Sequence, residues 1–175
     1  LNQAGPSLEI ENSTHPTKPA FQLEQNGGSS QDAKARFDDV PSFADGLLRV
    51  TVRSHSGADK SVGMLARTTY WRNDLNGYGW LCTIDHNHNV IIGYGSNSDA
   101  GTFTQVASVA HGVTDGEYFE LVWLLAGESH KVFVDGVLQI DETSSAVNTA
   151  GQCGLRVYSG TTGGDATFDD FSVLF

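Results

Sequence analysis

From Gly46 to the C-terminus, apolar residues recur at every second position in short runs separated by turn-forming stretches. A period of two belongs to strands with one buried face and rules out amphipathic helices, whose period is about 3.6. Strands are expected at Leu47–Ser54, Val62–Tyr70, Tyr78–Asp85, Asn89–Tyr94, Phe103–Ala110, Tyr118–Leu125, Lys131–Val134, Val137–Ile140, Gln152–Ser159 and Ala166–Phe175. Asp135-Gly136 separates two alternating runs and signals a hairpin whose central residues both need positive φ. Ser144–Ala150 is the one stretch where a single helical turn is expected. Many short strands with Gly-rich corners predict an all-β, two-sheet antiparallel sandwich of the jelly-roll kind.

The chain has 175 residues, enough for one domain with its own core. We divide it into residues 46–175, the sandwich, and residues 1–45, an irregular N-terminal segment contributing edge strands. Within that segment, Ser7–Glu11 and Phe21–Gln25 alternate, while Asn26–Ser30 reads as a turn or loop. The closing strand is expected to pair with an N-terminal one, with Phe168, Phe171, Val173 and Phe175 anchoring it in the core.

A formal net charge of −11 argues against a nucleic-acid partner, because an acidic surface repels phosphates. No apolar run of about 18 residues occurs, so no membrane insertion is expected. The chain begins at Leu1, which suits a processed protein or a fragment of a longer one. Cys82 and Cys153 both sit in apolar strands, which favours buried thiols over a disulfide.

Alternation also assigns faces. Leu48, Val50 and Val52 point one way and Arg49, Thr51 and Arg53 the other, so this strand has one wet face. Tyr118–Leu125 is mostly apolar on both faces, with Glu120 the exception, which predicts a central strand covered on both sides.

Four phrases occur in order: Asn76-Gly77-Tyr78 before a strand; Gly116-Glu117-Tyr118-Phe119-Glu120-Leu121-Val122-Trp123 followed by Lys131-Val132-Phe133-Val134-Asp135-Gly136; Gly151-Gln152-Cys153-Gly154-Leu155-Arg156-Val157; and Ala166-Thr167-Phe168-Asp169-Asp170-Phe171-Ser172-Val173. Together they resemble the concanavalin A-like lectin/glucanase superfamily, in its laminin-G-like and carbohydrate-binding-module branch, over Gly46 to Val173. The resemblance implies a sandwich that binds glycans, docks on proteins or cleaves polysaccharides. Retaining glucanases of the superfamily carry Glu-x-Asp-x-x-Glu on one strand, and this sequence has no such motif. The resemblance also implies a structural Ca²⁺ near the closing strand, where Asp169 and Asp170 match; one of these adjacent carboxylates is expected to face inward.

Candidate contacts follow from the chemistry of sugars, which offer C–H faces to aromatic rings and hydroxyls to planar polar groups. Trp71, Arg72 and Asn73 combine these in one polar stretch, Tyr78 follows, and His88 lies beyond the next strand. Tyr78 and Trp80 share a strand face that forms either core or a glycan groove, with Tyr94 alongside. Asp85-His86-Asn87-His88 reads as a hairpin turn, with a transition-metal site as the alternative. The expectation is a non-catalytic lectin-like module of an extracellular or surface-exposed protein, with a glycan or a neighbouring protein subunit as partner. The competing readings are an attachment module of a phage, virion or bacterial adhesin, and a glycoside hydrolase.

Overall fold

A computed structural model describes residues 7–11, 20–25, 31–37, 39–54, 60–69, 79–95, 103–159 and 164–175. Thirteen strands form two sheets. They are β1 (Ser7–Glu11), β2 (Ala20–Gln25), β3 (Gln31–Arg36), β4 (Gly46–Ser54), β5 (Lys60–Thr68), β6 (Gly79–Asp85) and β7 (Asn89–Gly95), then β8 (Phe103–Ala110), β9 (Tyr118–Ala126), β10 (Ser129–Val134), β11 (Val137–Thr143), β12 (Gln152–Ser159) and β13 (Gly164–Leu174). A seven-stranded sheet runs β1-β2-β13-β4-β9-β10-β11 and a six-stranded sheet runs β3-β12-β5-β6-β7-β8. All strand pairs are antiparallel, as the jelly-roll expectation requires.

The alternation fixes which side of each strand is buried. Leu48, Val50 and Val52 of β4, Phe119, Leu121, Trp123 and Leu125 of β9, and Val132 and Val134 of β10 line one wall of the core. Val62, Met64 and Ala66 of β5, Trp80, Cys82 and Ile84 of β6, Val90 and Ile92 of β7, and Cys153, Leu155 and Val157 of β12 line the other. The DG corner behaves as expected, with φ of 49° at Asp135 and 78° at Gly136. Cys82 and Cys153 are buried and unbonded; burial pushes the Cys153 thiol up to about 11, so neither acts as a thiolate near neutral pH.

Four expectations need correction. Gln31–Arg36 is a strand, paired with β12 at the edge of the six-stranded sheet, where no strand was expected. Ser144–Ala150 forms no helical turn; it is irregular, with bends at Ala146 and Thr149, and Val147 plugs the core. On β9, Tyr118, Glu120, Val122 and Leu124 are only half-buried, so that strand is central but covered on one side. Phe175 is 70% exposed, though its ring stacks on Phe43, while Phe168 is buried and Phe171 and Val173 pack against the core margin. β13 does pair with N-terminal β2 as well as with β4, which ties the two ends of the chain together.

A bulge at Arg67 locks one end of the sandwich. Ala66 and Arg67 together oppose Cys153 in the β5–β12 ladder, and Arg67 takes φ of 51°. Its fully buried guanidinium donates to the carbonyls of Ala44 (2.5 Å), Val147 (3.0 Å) and Gly127 (2.7 Å), and to Asn148 Oδ1 and Asp45 Oδ1. Five donors thus meet five acceptors from three separate loops, the condition under which a buried Arg is tolerated.

Candidate functional site

The outer face of the six-stranded sheet is built by residues that alternate with the core set. Registers across β8, β7, β6, β5, β12 and β3 align them in rows. The first row is Gln105, Gly93, Leu81, Leu65, Gly154 and Arg36. The second is Ser108, Ile91, Thr83, Gly63, Arg156 and Lys34. The third carries Asn89, Asp85, Ser61 and Tyr158. Thr83 and Arg156 are each 3% exposed and Leu65 is 5% exposed, although all three face away from the inter-sheet core. The middle of this face is therefore a sheltered floor, with Leu81, Ile91, Ser61 and Tyr158 half-buried around it.

Glycine keeps that floor low. A Cβ on Gly63 would lie 2.0 Å from the Cys82 carbonyl oxygen, and one on Gly93 would run into the Phe103 ring. Arg156 Nη1 donates to Ser61 Oγ at 3.1 Å, and its guanidinium lies over the Tyr158 ring, 5.1 Å from the centroid. An arginine over a tyrosine ring, beside hydroxyls and aliphatic side chains, combines the groups that sugar rings need. Asp85 is committed elsewhere: Oδ1 accepts from the backbone N–H groups of Asn87 and Asn89, and Oδ2 from Asn89 Nδ2. Among the described residues, the first two rows carry no carboxylate.

The expected site residues divide. Trp71, Arg72, Asn73 and Tyr78 lie outside the described residues; Thr68 and Gly79, on either side of that stretch, sit at the first-row end of the sheet. His88 lies past the opposite end of β6, a strand seven residues long, so about 20 Å of sheet separates it from Gly79. His88 has φ of 61° and donates its backbone N–H to Asp85 O, which makes 85–88 the hairpin turn. Its Nε2 lies 4.0 Å from Asp115, which is also ion-paired to buried Lys60 at 3.1 Å. No three His, Cys, Asp or Glu side chains gather to hold a metal among the described residues.

The face shared by Trp80 and Tyr94 is not a groove. Trp80 is fully buried, meets Tyr94 edge-on at 5.4 Å and donates Nε1 to Val147 O. Its other neighbour is His130, with ring centroids 4.0 Å apart. His130 is fully buried, and neither ring nitrogen has a hydrogen-bond partner among the described residues. Burial, and then the charge of Arg67, lower its pKa to about 4.

Asp169 and Asp170 sit at a bulge in β13, and neither points into the core. Phe168 takes the inward position, Asp169 faces outward in register with Thr51, and Asp170 is exposed with φ of 51°. Asp169 Oδ1 accepts the Asp170 N–H at 2.8 Å. Among the described residues no third acidic, imidazole or thiol side chain joins this pair; Ca²⁺ there would need carbonyl or water oxygens to reach the six to eight it takes.

No protein-family model and no curated protein matches this sequence. Solved structures do match its fold. A carbohydrate-binding module, CBM66 from Bacillus subtilis, superposes with a TM-score of 0.72 at 17% identity, over 99% of this chain and 98% of that one. The fold is the concanavalin A-like jelly roll. A protein of unknown function with a galectin-like fold from Bacillus subtilis matches with a TM-score of 0.68 at 10% identity, covering 97% of this chain and 87% of its own. A family 16 endo-glucanase from Bacteroides ovatus matches with a TM-score of 0.64 at 11% identity, over 99% of this chain and 86% of that one. The fold thus serves binding and catalysis alike, and its residues must decide between them.

The sheltered face was not legible from the sequence. Leu65, Thr83 and Arg156 look like ordinary solvent-side residues of alternating strands. The available signal was glycine at three outward positions, Gly63, Gly93 and Gly154, since glycine inside a strand marks close approach.

Proposed function

We propose that this chain is a non-catalytic carbohydrate-binding module that lays a glycan along the outer face of the six-stranded sheet. The observation carrying this reading is the Arg156–Tyr158–Ser61 group beside Thr83 on a glycine-lowered floor. Similarity of fold to a carbohydrate-binding module and to galectin-like structures supports it. A non-catalytic role is supported by the lack of carboxylates in the two central rows among the described residues, since glycosidic hydrolysis uses two acids about 5–10 Å apart. Trp71, Arg72, Asn73 and Tyr78, which lie outside the described residues, remain proposed glycan contacts on their chemistry alone; His88 would mark the far limit of the proposed surface. The protein is proposed to work outside the cell or on a surface, where such glycans occur. Ca²⁺ at Asp169–Asp170 remains part of the reading as a stabiliser only, with carbonyl or water oxygens completing its shell.

The experiment is a glycan array probed with the wild-type protein and Tyr158→Ala. Binding that the substitution weakens at least tenfold is expected. No signal on any glycan, or release of reducing sugar from a polysaccharide, overturns the reading. Addition of Ca²⁺ after chelation is expected to raise Tm; an unchanged Tm removes the ion.

The second reading, docking on a neighbouring subunit, is favoured by one feature. Phe103 and Val109 on β8, and Val137 and Leu138 on β11, are exposed on two edge strands that contact each other. Sedimentation showing a stable oligomer, together with an array without signal, would favour it.

A further inference from the structure

The charge of the chain and the charge of this face disagree. The protein carries 10 Lys and Arg against 21 Asp and Glu. Yet Lys34, Arg36 and Arg156 fall on neighbouring outward positions where β3 meets β12. Lys34 is in register with Arg156, and Arg36 with Gly154 next to it. Ala35 between them packs toward the core, so both long side chains stand on the outer face. Arg36 is exposed, Lys34 is half-buried and Arg156 forms the floor beneath. Among the described residues the first two rows carry no carboxylate, and Asp85 stands in the third.

We propose that this flank makes the module selective for acidic glycans, with Lys34 and Arg36 receiving the carboxylate groups of uronic acid residues. The inference rests on the carbohydrate-binding reading and names the ligand class for the same face. Clustered cations create a positive field that attracts an anionic ligand at short range, while the net charge of −11 opposes its approach from further away. Arginine presents a planar fork matched to a carboxylate, and lysine adds a compact charge. Arg156 acts from below: it is too sheltered to be the main contact, but a charge on a poorly hydrated floor is weakly screened. All three have interactions within the molecule, so the ligand competes with existing partners. Modest affinity and strong salt dependence follow.

The test is calorimetric titration of the whole chain with oligoglucuronate and with the same oligomer after reduction of its carboxyl groups to neutral alcohols. The wild-type protein is expected to prefer the acidic form by about tenfold or more, the worth of one charge-assisted contact. That preference should shrink as salt rises from low to physiological strength. Lys34→Gln with Arg36→Gln, both on an edge strand, should abolish the preference and leave binding of the reduced oligomer unchanged. Should that double variant fail to fold, the wild-type salt titration decides alone. Equal affinity for the two oligomers, a preference insensitive to salt, or one that survives in a folded double variant overturns the inference while leaving carbohydrate binding intact. Binding of neither oligomer, with no signal on a broad array, defeats the underlying reading instead.

Discussion

Arg49 and Arg156 both stand on strands, both point away from the core, and both have a partner one strand over. Arg49 pairs with Glu120 with its side chain 54% exposed; Arg156 bonds Ser61 at 3% exposure. The two outer faces of the sandwich differ in the same way. On the seven-stranded sheet, Arg49, Thr51 and Arg53 of β4 and Tyr118, Glu120, Val122 and Leu124 of β9 are half-buried or exposed. On the six-stranded sheet, outward-facing Leu65, Thr83 and Arg156 are almost fully buried, with Ser61, Leu81, Ile91 and Tyr158 half-buried around them. An ion pair in the first setting is screened and contributes little. The same kinds of group in the second are desolvated and held in place, which is the condition for selective binding. Strand polarity alone therefore does not distinguish the two faces; the burial of their outward side chains does.

Four measurements break or sharpen that comparison. The largest effect is expected at the closed end of the six-stranded sheet. Arg67→Met strips five hydrogen bonds from loop carbonyls and side chains, and should cost about 4 kcal/mol in denaturant unfolding. A loss under about 1 kcal/mol would show that the loops close without it. Gly63→Val comes next, at about 3 kcal/mol, because its side chain has only the β6 backbone to occupy. Thr51→Val on the open face should change stability by less than about 0.5 kcal/mol. Equal effects at the two sites would erase the contrast.

The third concerns the core between the faces. His130 stays neutral in the folded chain down to about pH 4, whereas an unfolded histidine protonates near 6.5. The unfolded state therefore binds the proton first, and stability falls as pH drops through this window. The loss levels off below pH 4 at about 3 kcal/mol. Arg67, the charged group that works against protonation here, keeps its own charge throughout. Unfolding curves at pH 7, 5.5 and 4 read the effect, and His130→Leu should remove that share of the slope. An unchanged slope in the variant would reassign the acid sensitivity to other groups. The smallest effect is at the exposed pair: Arg49→Ala should cost under about 1 kcal/mol and leave the proposed glycan binding as in the wild type.

Much of the fold was readable because burial on one side of a strand writes itself as alternation. Leu48, Val50 and Val52 against Arg49, Thr51 and Arg53 is the plainest case, and the hairpin at Asp135-Gly136 the next. Gln31–Arg36 escaped because Ala35, the residue that packs against the core, is too small to register as part of an apolar period. Trp80 was ambiguous for a related reason. Periodicity groups residues by face without saying which face is inner, and only the contacts with Val147 and His130 settle that. The candidate residues Trp71, Arg72, Asn73 and Tyr78 lie outside the described residues, while His88 proved to belong to a turn at the other end of β6.

The sequence by itself determined that the chain is a two-sheet sandwich, because side-chain direction in a strand depends on local backbone geometry alone. Tertiary structure decided which outward face is sheltered, where Arg67 breaks the ladder, and that Lys34 and Arg36 stand beside Arg156. Those facts depend on which strands become neighbours, on bulges and on approach distances between residues far apart in the chain, and alternation carries no information about any of them.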